Sequence, residues 1–274
     1  MKKSRFISGI LIVVMCLCSC SRIMPHQGAL KGKFTVDAKG RKVQFSEGNL
    51  MYHPRTKRLT FALNQYDYVG NDRWGTESDG NNENVSSDYD GWIDLFAWGT
   101  GNDLTKKTGE DAVDYCAFVD WGNNAILGGG NTPSQWRTLT KNEMNYILNE
   151  RPDAHFLCGK AVINGRIDGF VLLPDNWSDP VEFRFDPFGE NLFSWSDWSK
   201  MEERGAVFIP DAGVATQTYD GKVYYSPNFP GGIWLSTPGF DRRDAFVAER
   251  RGKEMILIPE RRTQRYSVRL VRDY

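Results

Sequence analysis

The chain has 274 residues, of which 40% are hydrophobic and 13% aromatic, and its formal net charge is −1. This apolar content is enough for one large domain or two small ones. A near-neutral chain lacks the excess of basic residues that meets phosphates, so a nucleic-acid partner is excluded. Nine Trp and 27 Gly against three His are typical of an aromatic-rich, loop-rich β protein.

The first 20 residues are typical of a processing sequence. A basic start, K-K-S-R at 2–5, is followed by an apolar run over 7–18 that is too short to span a bilayer comfortably. The run ends in L-C-S-C at 17–20, which resembles a bacterial lipobox with Cys20 as the lipidated residue. An ordinary cleaved signal and a short membrane anchor are the alternatives. We predict residues 1–20 to be a lipoprotein signal peptide.

Lipidation at Cys20 implies a membrane as a partner through the N-terminal anchor. We therefore expect a bacterial outer-membrane lipoprotein, on the periplasmic or the cell-surface side. Residues 21–33 are polar and show no hydrophobic periodicity, which predicts a mobile tether. Beyond it, Cys116 and Cys158 could pair in an oxidising compartment. No spacing rule supports that bond, and Cys158 lies in an apolar run, so a buried thiol is favoured.

The segment from 32 to 68 predicts several β-strands. Apolar residues alternate with polar ones in K-V-Q-F at 42–45, as in a half-buried strand. The pieces at 49–52 and 58–61 flank a turn near Pro54 and predict a hairpin. Two polar, glycine-rich stretches follow, near 71–86 and 101–131, and both predict loop insertions. The triple glycine at 128–130 is followed by no Gly-Lys-Ser/Thr, so it predicts a flexible connection rather than a phosphate site.

The string G-W-I-D-L-F-A-W-G-T at 91–100 predicts a packed aromatic corner with Trp92 and Phe96 inside. Asp88, Asp90 and Asp94 lie in or just before it. Carboxylates are the oxygen ligands that Ca²⁺ takes, but these lack the spacing of a calcium-binding loop. Solvated or capping carboxylates are favoured over a metal site.

The segment W-R-T-L-T-K-N-E-M-N-Y at 136–146 predicts a strand end that turns directly into a helix. Thr140 is a good N-cap, and Glu143 can complete a capping box. Leu139 and Met144 have the spacing of a hydrophobic staple across the cap. We predict both residues and Trp136 to be core, with the helix ending before Pro152.

A hairpin is predicted after this helix, from Phe156 to Ile163 and from Arg166 to Leu173, across Asn164-Gly165. Further strands are predicted at 205–210, at 231–238, near 244–248 and at 254–258, with a short helix at 196–205. In the last segment, R-Y-S-V-R-L-V-R at 265–272, alternation places Val268 and Leu270 inward and Arg269 outward or paired.

Several of these segments resemble one family. W-R-x-L-T-x-x-E at 136–143 looks like a signature of the formylglycine-generating-enzyme and C-type-lectin-like fold. The strings G-W-I-D-L-F-x-W-G-T at 91–100 and S-V-R-L-V-R at 267–272 are similar to the major paralogous domain (FISUMP-type) lipoproteins. The resemblance implies an α+β fold over 34–274, with twisted antiparallel sheets, a few short helices and long loops.

The resemblance does not carry over an enzyme activity. Formylglycine-generating enzymes bind copper through a pair of cysteines near their C-terminal region, and no Cys follows Cys158 here. None of the three His has a Gly-x-Ser-x-Gly partner. We therefore expect no enzyme, cofactor or metal. An enzyme that uses paired carboxylates and a purely structural envelope protein are the alternatives.

In relatives diversified by retroelements, the variable face lies before the terminal arginine motif, which corresponds here to 234–265. Aromatic and arginine side chains are the usual anchors of protein contacts. The resemblance therefore implies an adhesion or binding module for a protein or glycan through the late-strand loops. The candidate ligand-binding residues are Trp234, Phe240, Asp241, Arg242, Asp244, Phe246, Arg261 and Arg262. A buried Trp234 and a solvated charged rim are the alternative reading.

Overall fold

The computed structural model describes residues 28–70, 80–107, 118–227 and 229–274. Cys20 and Cys116 lie outside these ranges, so the predicted lipidation and the disulfide alternative concern residues that are not described. The described part is built mostly from antiparallel β-sheets with two short α-helices, which confirms the predicted α+β class. None of its helices is long and apolar enough to cross a membrane.

The first sheet joins the two ends of the described chain. Its order is β1 (Phe34–Thr35), β2 (Lys42–Phe45), β17 (Leu270–Asp273) and β6 (Arg137–Thr138). The last strand lies between β2 and β6 and pairs antiparallel with both. Val268 and Leu270 are fully buried, as the alternation at the end of the chain predicts.

The second sheet contains the predicted hairpin. Its order is β10 (Val207–Pro210), β8 (Ile167–Leu172), β7 (Cys158–Ile163) and β9 (Asn191–Phe193). Asn164 and Gly165 both have positive φ, 52° and 65°. A turn with positive φ at both central positions matches the twist of its strands, and the Arg166 amide closes it by donating to Ile163 O. The hairpin prediction is confirmed, but β7 begins at Cys158 and not at Phe156, and Ile163 pairs with Ile167, which leaves three residues in the connection.

The late strands form two further sheets. One has the order β12 (Val223–Ser226), β11 (Val214–Gln217), β16 (Gln264–Tyr266) and β5 (Phe96–Ala97). The other has the order β13 (Gly232–Pro238), β14 (Asp244–Arg251) and β15 (Glu254–Arg261). A separate hairpin joins β3 (Leu50–His53) to β4 (Arg58–Phe61).

Helix α1 (Lys141–Asn145) begins at the predicted capping box. Thr140 Oγ1 accepts the Glu143 amide at 3.2 Å, and the Glu143 carboxylate accepts the Thr140 amide at 2.9 Å. A π-helical turn (Tyr146–Glu150) continues the helix, so the helical segment ends before Pro152. Leu139 and Met144 are buried in the same cluster, which agrees with the staple. Helix α2 (Trp195–Glu203) confirms the short helix near 196–205.

The core contains most of the aromatic side chains predicted for it. Trp136 and Phe96 are buried as expected. Trp92 is only half-buried and packs beside a small cluster that contains Val69, so its prediction as a core residue is wrong. The indole instead meets the His53 ring edge to face, with 5.2 Å between the ring centroids.

Two predicted loop regions are more ordered than their composition indicates. Ala29 and Leu30 are buried and the Leu30 amide donates to Phe45 O, so the tether prediction is wrong for residues 28–33. In the second insertion, Trp121 and Ile126 are fully buried. Gly122 packs so closely against the segment of Trp136 that an added Cβ would stand 1.9 Å from Trp136 O. The flexible connection predicted for 128–130 is wrong at its centre, because Gly129 is buried and its carbonyl accepts Trp136 Nε1 at 2.7 Å.

The terminal arginines are buried rather than outward. Arg269 is hydrogen-bonded to Gln65 Oε1 at 2.7 Å, and Arg265 to Lys106 O at 2.6 Å. Burial lowers the pKa of Arg269 to about 9 and that of Arg265 to about 10. Neutral oxygens thus accept from two buried cations, which is how buried charges without a carboxylate are tolerated.

Candidate functional site

The predicted ligand-binding residues divide into a buried set and an exposed set. Trp234 is 1% exposed, and its Nε1 donates to Phe96 O at 2.7 Å. Its ring also meets Tyr266 edge to face, with 5.0 Å between the centroids. A ligand at the surface cannot reach this indole, so Trp234 belongs to the core and is corrected as a binding residue.

Arg262 is also buried, and it holds the late loops together. Its guanidinium lies 4.0 Å above the Trp98 ring, and its Nε donates to Asp244 O at 3.0 Å. The carboxylate of Asp244 lies 3.4 Å from the Arg261 guanidinium. These contacts place Arg262 in a supporting role and leave Arg261, which is exposed, at the surface.

The turn between β13 and β14 carries the exposed candidates. It is closed by the Asp244 amide, which donates to Asp241 O, and by the Gly239 amide, which donates to Asp244 O. The Asp241 carboxylate accepts the Arg243 amide at 2.9 Å, and this bond holds the pKa of Asp241 below its usual value. Phe240 and Arg242 project from this turn, and Phe240 is 87% exposed.

Phe240 rests on a small aromatic and cationic cluster. Its ring meets the mostly buried Phe246 ring edge to face, with 5.5 Å between the centroids. Lys141 Nζ lies 4.1 Å from the Phe246 centroid and 5.6 Å from that of Phe240. A cation over an aromatic face is an attractive arrangement. Lys141 thereby connects the late loop to helix α1.

The same lysine lines a groove of about 640 Å³, which we call the β15 groove. The groove lies between helix α1 with its π-helical turn, the start of β7 and strand β15. Its apolar lining consists of Leu148, Cys158, Phe170, Pro187, Phe188, Met255, Ile256 and Leu257. An apolar concave surface with a few polar groups is the usual form of a ligand site.

The polar lining of the groove comes from both sides. It consists of Lys141, Asn145, Asn149, His155, Lys253 and Glu254. The first three are spaced by four residues, which places them on one side of the helical segment. This spacing is visible in the sequence and is the signal that the sequence reasoning missed.

The far end of the groove carries a second exposed aromatic pair. Phe188 lines the groove and is 65% exposed, and Phe156 beside it is 59% exposed. Their rings meet edge to face, with 6.1 Å between the centroids. Lys253 Nζ donates to Phe188 O at 3.0 Å. Each of the two lysines of the groove therefore contacts an aromatic pair, Lys141 the pair Phe240–Phe246 and Lys253 the pair Phe156–Phe188.

The thiol in the groove does not have the properties of a nucleophile. Cys158 is half-buried, and its Sγ lies 3.5 Å from Ala154 O, to which it can donate. Burial raises the pKa of the Cys158 thiol, while the charge of Arg151 opposes the shift. A thiol with a raised pKa stays protonated at neutral pH, and the thiolate is the reactive form.

The three aspartates near the aromatic corner do not converge on one point. Asp90 pairs with Arg55 at 2.6 Å, and Asp88 accepts from Ser86. Both are exposed, as predicted for solvated carboxylates. Asp94 is fully buried, so of the two predicted roles, solvated or capping, it does not have the first. Within residues 28–70, 80–107, 118–227 and 229–274, no group of three or more His, Cys, Asp or Glu is arranged to hold a metal.

Asp94 instead organises the loop that precedes it. Its carboxylate accepts Asn82 Nδ2 at 2.9 Å and the Val69 amide at 3.0 Å. Asn82 Oδ1 in turn accepts the Asp94 and Leu95 amides. Burial raises the pKa of Asp94 to about 7, although these hydrogen bonds lower it. The Asp94 and Asn82 side chains thus have hydrogen-bond partners, and the network serves the structure of the loop.

Comparison of the chain with known protein families, with curated proteins and with solved structures finds no match.

Proposed function

We propose that the chain is a non-enzymatic lipoprotein of the bacterial envelope that binds a protein or glycan ligand at the β15 groove and its adjoining late loop. In this proposal Cys20 carries the lipid, and the folded domain has the C-type-lectin-like fold of the FISUMP-type lipoproteins. The antiparallel sheets and short helices support that fold, because the segments that resemble the family fall on their strands, turns and caps.

The observation that carries the proposal is the position of Phe240. The Phe240 ring is 87% exposed, and contact of so much apolar surface with water is unfavourable. The ring nevertheless packs against Phe246 and Lys141, beside a groove of about 640 Å³. Interface hot spots are typically aromatic or arginine side chains beside well-packed pockets. Phe240 with the exposed Arg242 next to it has this form, and the groove supplies the pocket.

The groove supports binding rather than turnover. Its thiol has a raised pKa, which disfavours a nucleophile. Glu254 contributes a carboxylate to its lining, whereas hydrolysis of a glycosidic bond by the usual route needs two carboxyl groups across the bond. A carbohydrate-active enzyme would show turnover on a panel of polysaccharides, and this result would contradict the proposal.

The test is a glycan and protein array probed with the soluble fragment 21–274. We expect at least one ligand whose binding is weakened by more than about 1 kcal/mol in Phe240→Ala and in Arg242→Ala. Stability should change by no more than about 0.5 kcal/mol, because both side chains are at the surface. Tyr219→Ala is the matched control, since Tyr219 is 88% exposed in the turn between β11 and β12. If Phe240→Ala and Arg242→Ala both bind the ligand normally, the binding site lies elsewhere on the protein.

A further inference from the structure

Strand β15 is an edge strand with a long unpaired side. It pairs antiparallel with β14 over all eight residues, from Glu254 opposite Arg251 to Arg261 opposite Asp244. No other strand in the described part of the chain pairs with it. Every second N–H and C=O along an edge strand points away from its sheet, so such an edge is a template for another strand.

The β15 groove follows this unpaired edge. Successive side chains of a strand point to opposite faces of its sheet. A groove over one face alone would therefore be lined by alternate residues, such as Met255 and Leu257. Instead it is lined by the unbroken run 253–257, including Ile256. A run of consecutive residues indicates that the groove abuts the backbone edge of the strand.

We propose that the ligand of the β15 groove is an extended, acidic peptide segment of a partner protein, which adds to β15 as a fourth strand of the sheet. The inference rests on the proposed function and names its ligand class. In β-strand addition, main-chain hydrogen bonds supply affinity and pockets for alternate side chains supply specificity. Here Leu148, Phe170, Met255 and Leu257 form the apolar pocket for one side chain of the peptide.

Pro259 limits the length of the added strand. Proline has no backbone N–H and is confined to edge strands within sheets. It therefore interrupts strand addition after Ile258 and leaves Glu254–Ile258 as the paired segment. A stretch of this length holds roughly five ligand residues, one for each position.

The charges at the two ends of the groove indicate an acidic peptide. Lys253 is held against Phe188 O at one end, and Lys141 lies over Phe246 near the other. Among the described residues, neither ammonium lies within 4.0 Å of a carboxylate. The groove lining thus has two lysines against Glu254 and carries a net positive charge. Carboxylates at both ends of the peptide would complement it.

The test uses an array of peptides of the pattern Asp-X-Thr-X-Thr-X-Asp, in which X varies over apolar residues. The full-length chain in detergent is applied, and the affinity of the strongest peptide is measured in solution. We expect the affinity to fall at least tenfold when alternate peptide nitrogens are N-methylated, because strand addition needs their N–H groups. We expect a fall of similar size when both Asp are replaced by Lys.

Variants of the protein supply the matching control. Lys141→Gln and Lys253→Gln should each weaken the peptide at least threefold, whereas Lys31→Gln, at an exposed site on another segment, should not. Amide hydrogen exchange gives a second readout. Peptide binding should slow exchange at one alternate set of amides within Glu254–Ile258, while the set already paired with β14 stays unchanged.

The outcomes separate this inference from the proposed function. If no peptide binds, or if N-methylation leaves the affinity unchanged, strand addition is wrong. A glycan that binds in a Phe240-dependent way would then keep the proposed function and replace the peptide as the ligand. If no ligand of any class depends on Phe240, the proposed function itself fails. Slowed exchange at β15 with an N-methylation-sensitive peptide supports the inference.

Discussion

The buried Asp94 makes a sharp prediction about pH. Burial raises the pKa of its carboxyl from 3.8 to about 7, so the folded state holds a proton that the unfolded state releases. Between these two values folding takes up a proton, and the free energy of unfolding falls as pH rises. The slope is at most about 1.4 kcal/mol per pH unit, and the total over the whole titration is about 4 kcal/mol.

Asp94→Asn isolates this contribution from the other titrating groups. The amide cannot ionise, so the variant lacks the slope. The new NH₂ group is itself a donor and faces the Asn82 side-chain amide and the Val69 backbone amide, which donate to the carboxylate in the natural chain. The lost hydrogen bond should lower the free energy of unfolding by about 1–3 kcal/mol at every pH. The variant should therefore be the less stable protein near pH 5. From pH 5 to pH 7 the natural chain should lose about 2 kcal/mol of stability relative to the variant, and the difference should become constant only above about pH 8.

The measurement is urea denaturation of both proteins at intervals from pH 5 to pH 8. The quantity of interest is the difference between their free energies of unfolding, in which titrations common to both proteins cancel. A difference that does not change with pH would refute the reasoning. It would mean that the hydrogen bonds from Asn82 and Val69 keep the carboxylate ionised despite burial.

Three further predictions concern stability and anchoring. Thr140→Ala should lower the free energy of unfolding by about 1 kcal/mol through the lost cap, and an unchanged denaturation midpoint would contradict the capping box. Trp234→Ala should lower the free energy of unfolding by about 3–5 kcal/mol. Trp92→Ala should lower it clearly less, because of these two indoles Trp234 alone is fully buried. Equal losses of stability in a denaturation experiment would contradict this ranking. Cys20→Ala should abolish metabolic labelling with a fatty acid, and persistent labelling would show that the lipobox prediction is wrong.

The elements that the sequence alone determined are those held by neighbours along the chain. The capping box needs Thr140 and Glu143, which are three residues apart. The hairpin turn needs only Asn164-Gly165, since few other pairs adopt positive φ at both positions. In each case the deciding interactions lie within one element, so a pattern of residue types was sufficient.

The candidate site was predictable only in part, because its residues come from distant segments. Resemblance pointed to the late loop with Phe240, but the groove beside it joins Lys141 to residues more than 100 positions later. Nothing in the sequence indicated that this lysine lies over Phe246.

The same reason explains the wrong predictions. Trp234 and Asp94 have residue types that suit a surface site as well as an interior, and their burial was decided by partners elsewhere. The Trp234 indole finds its acceptor on Phe96, 138 residues away. Residues 118–131 have the composition of a loop, yet Trp121 is buried among other aromatic side chains. Whether a side chain is exposed depends on which surfaces the sheets bring against it, and that is settled only when distant strands pack together.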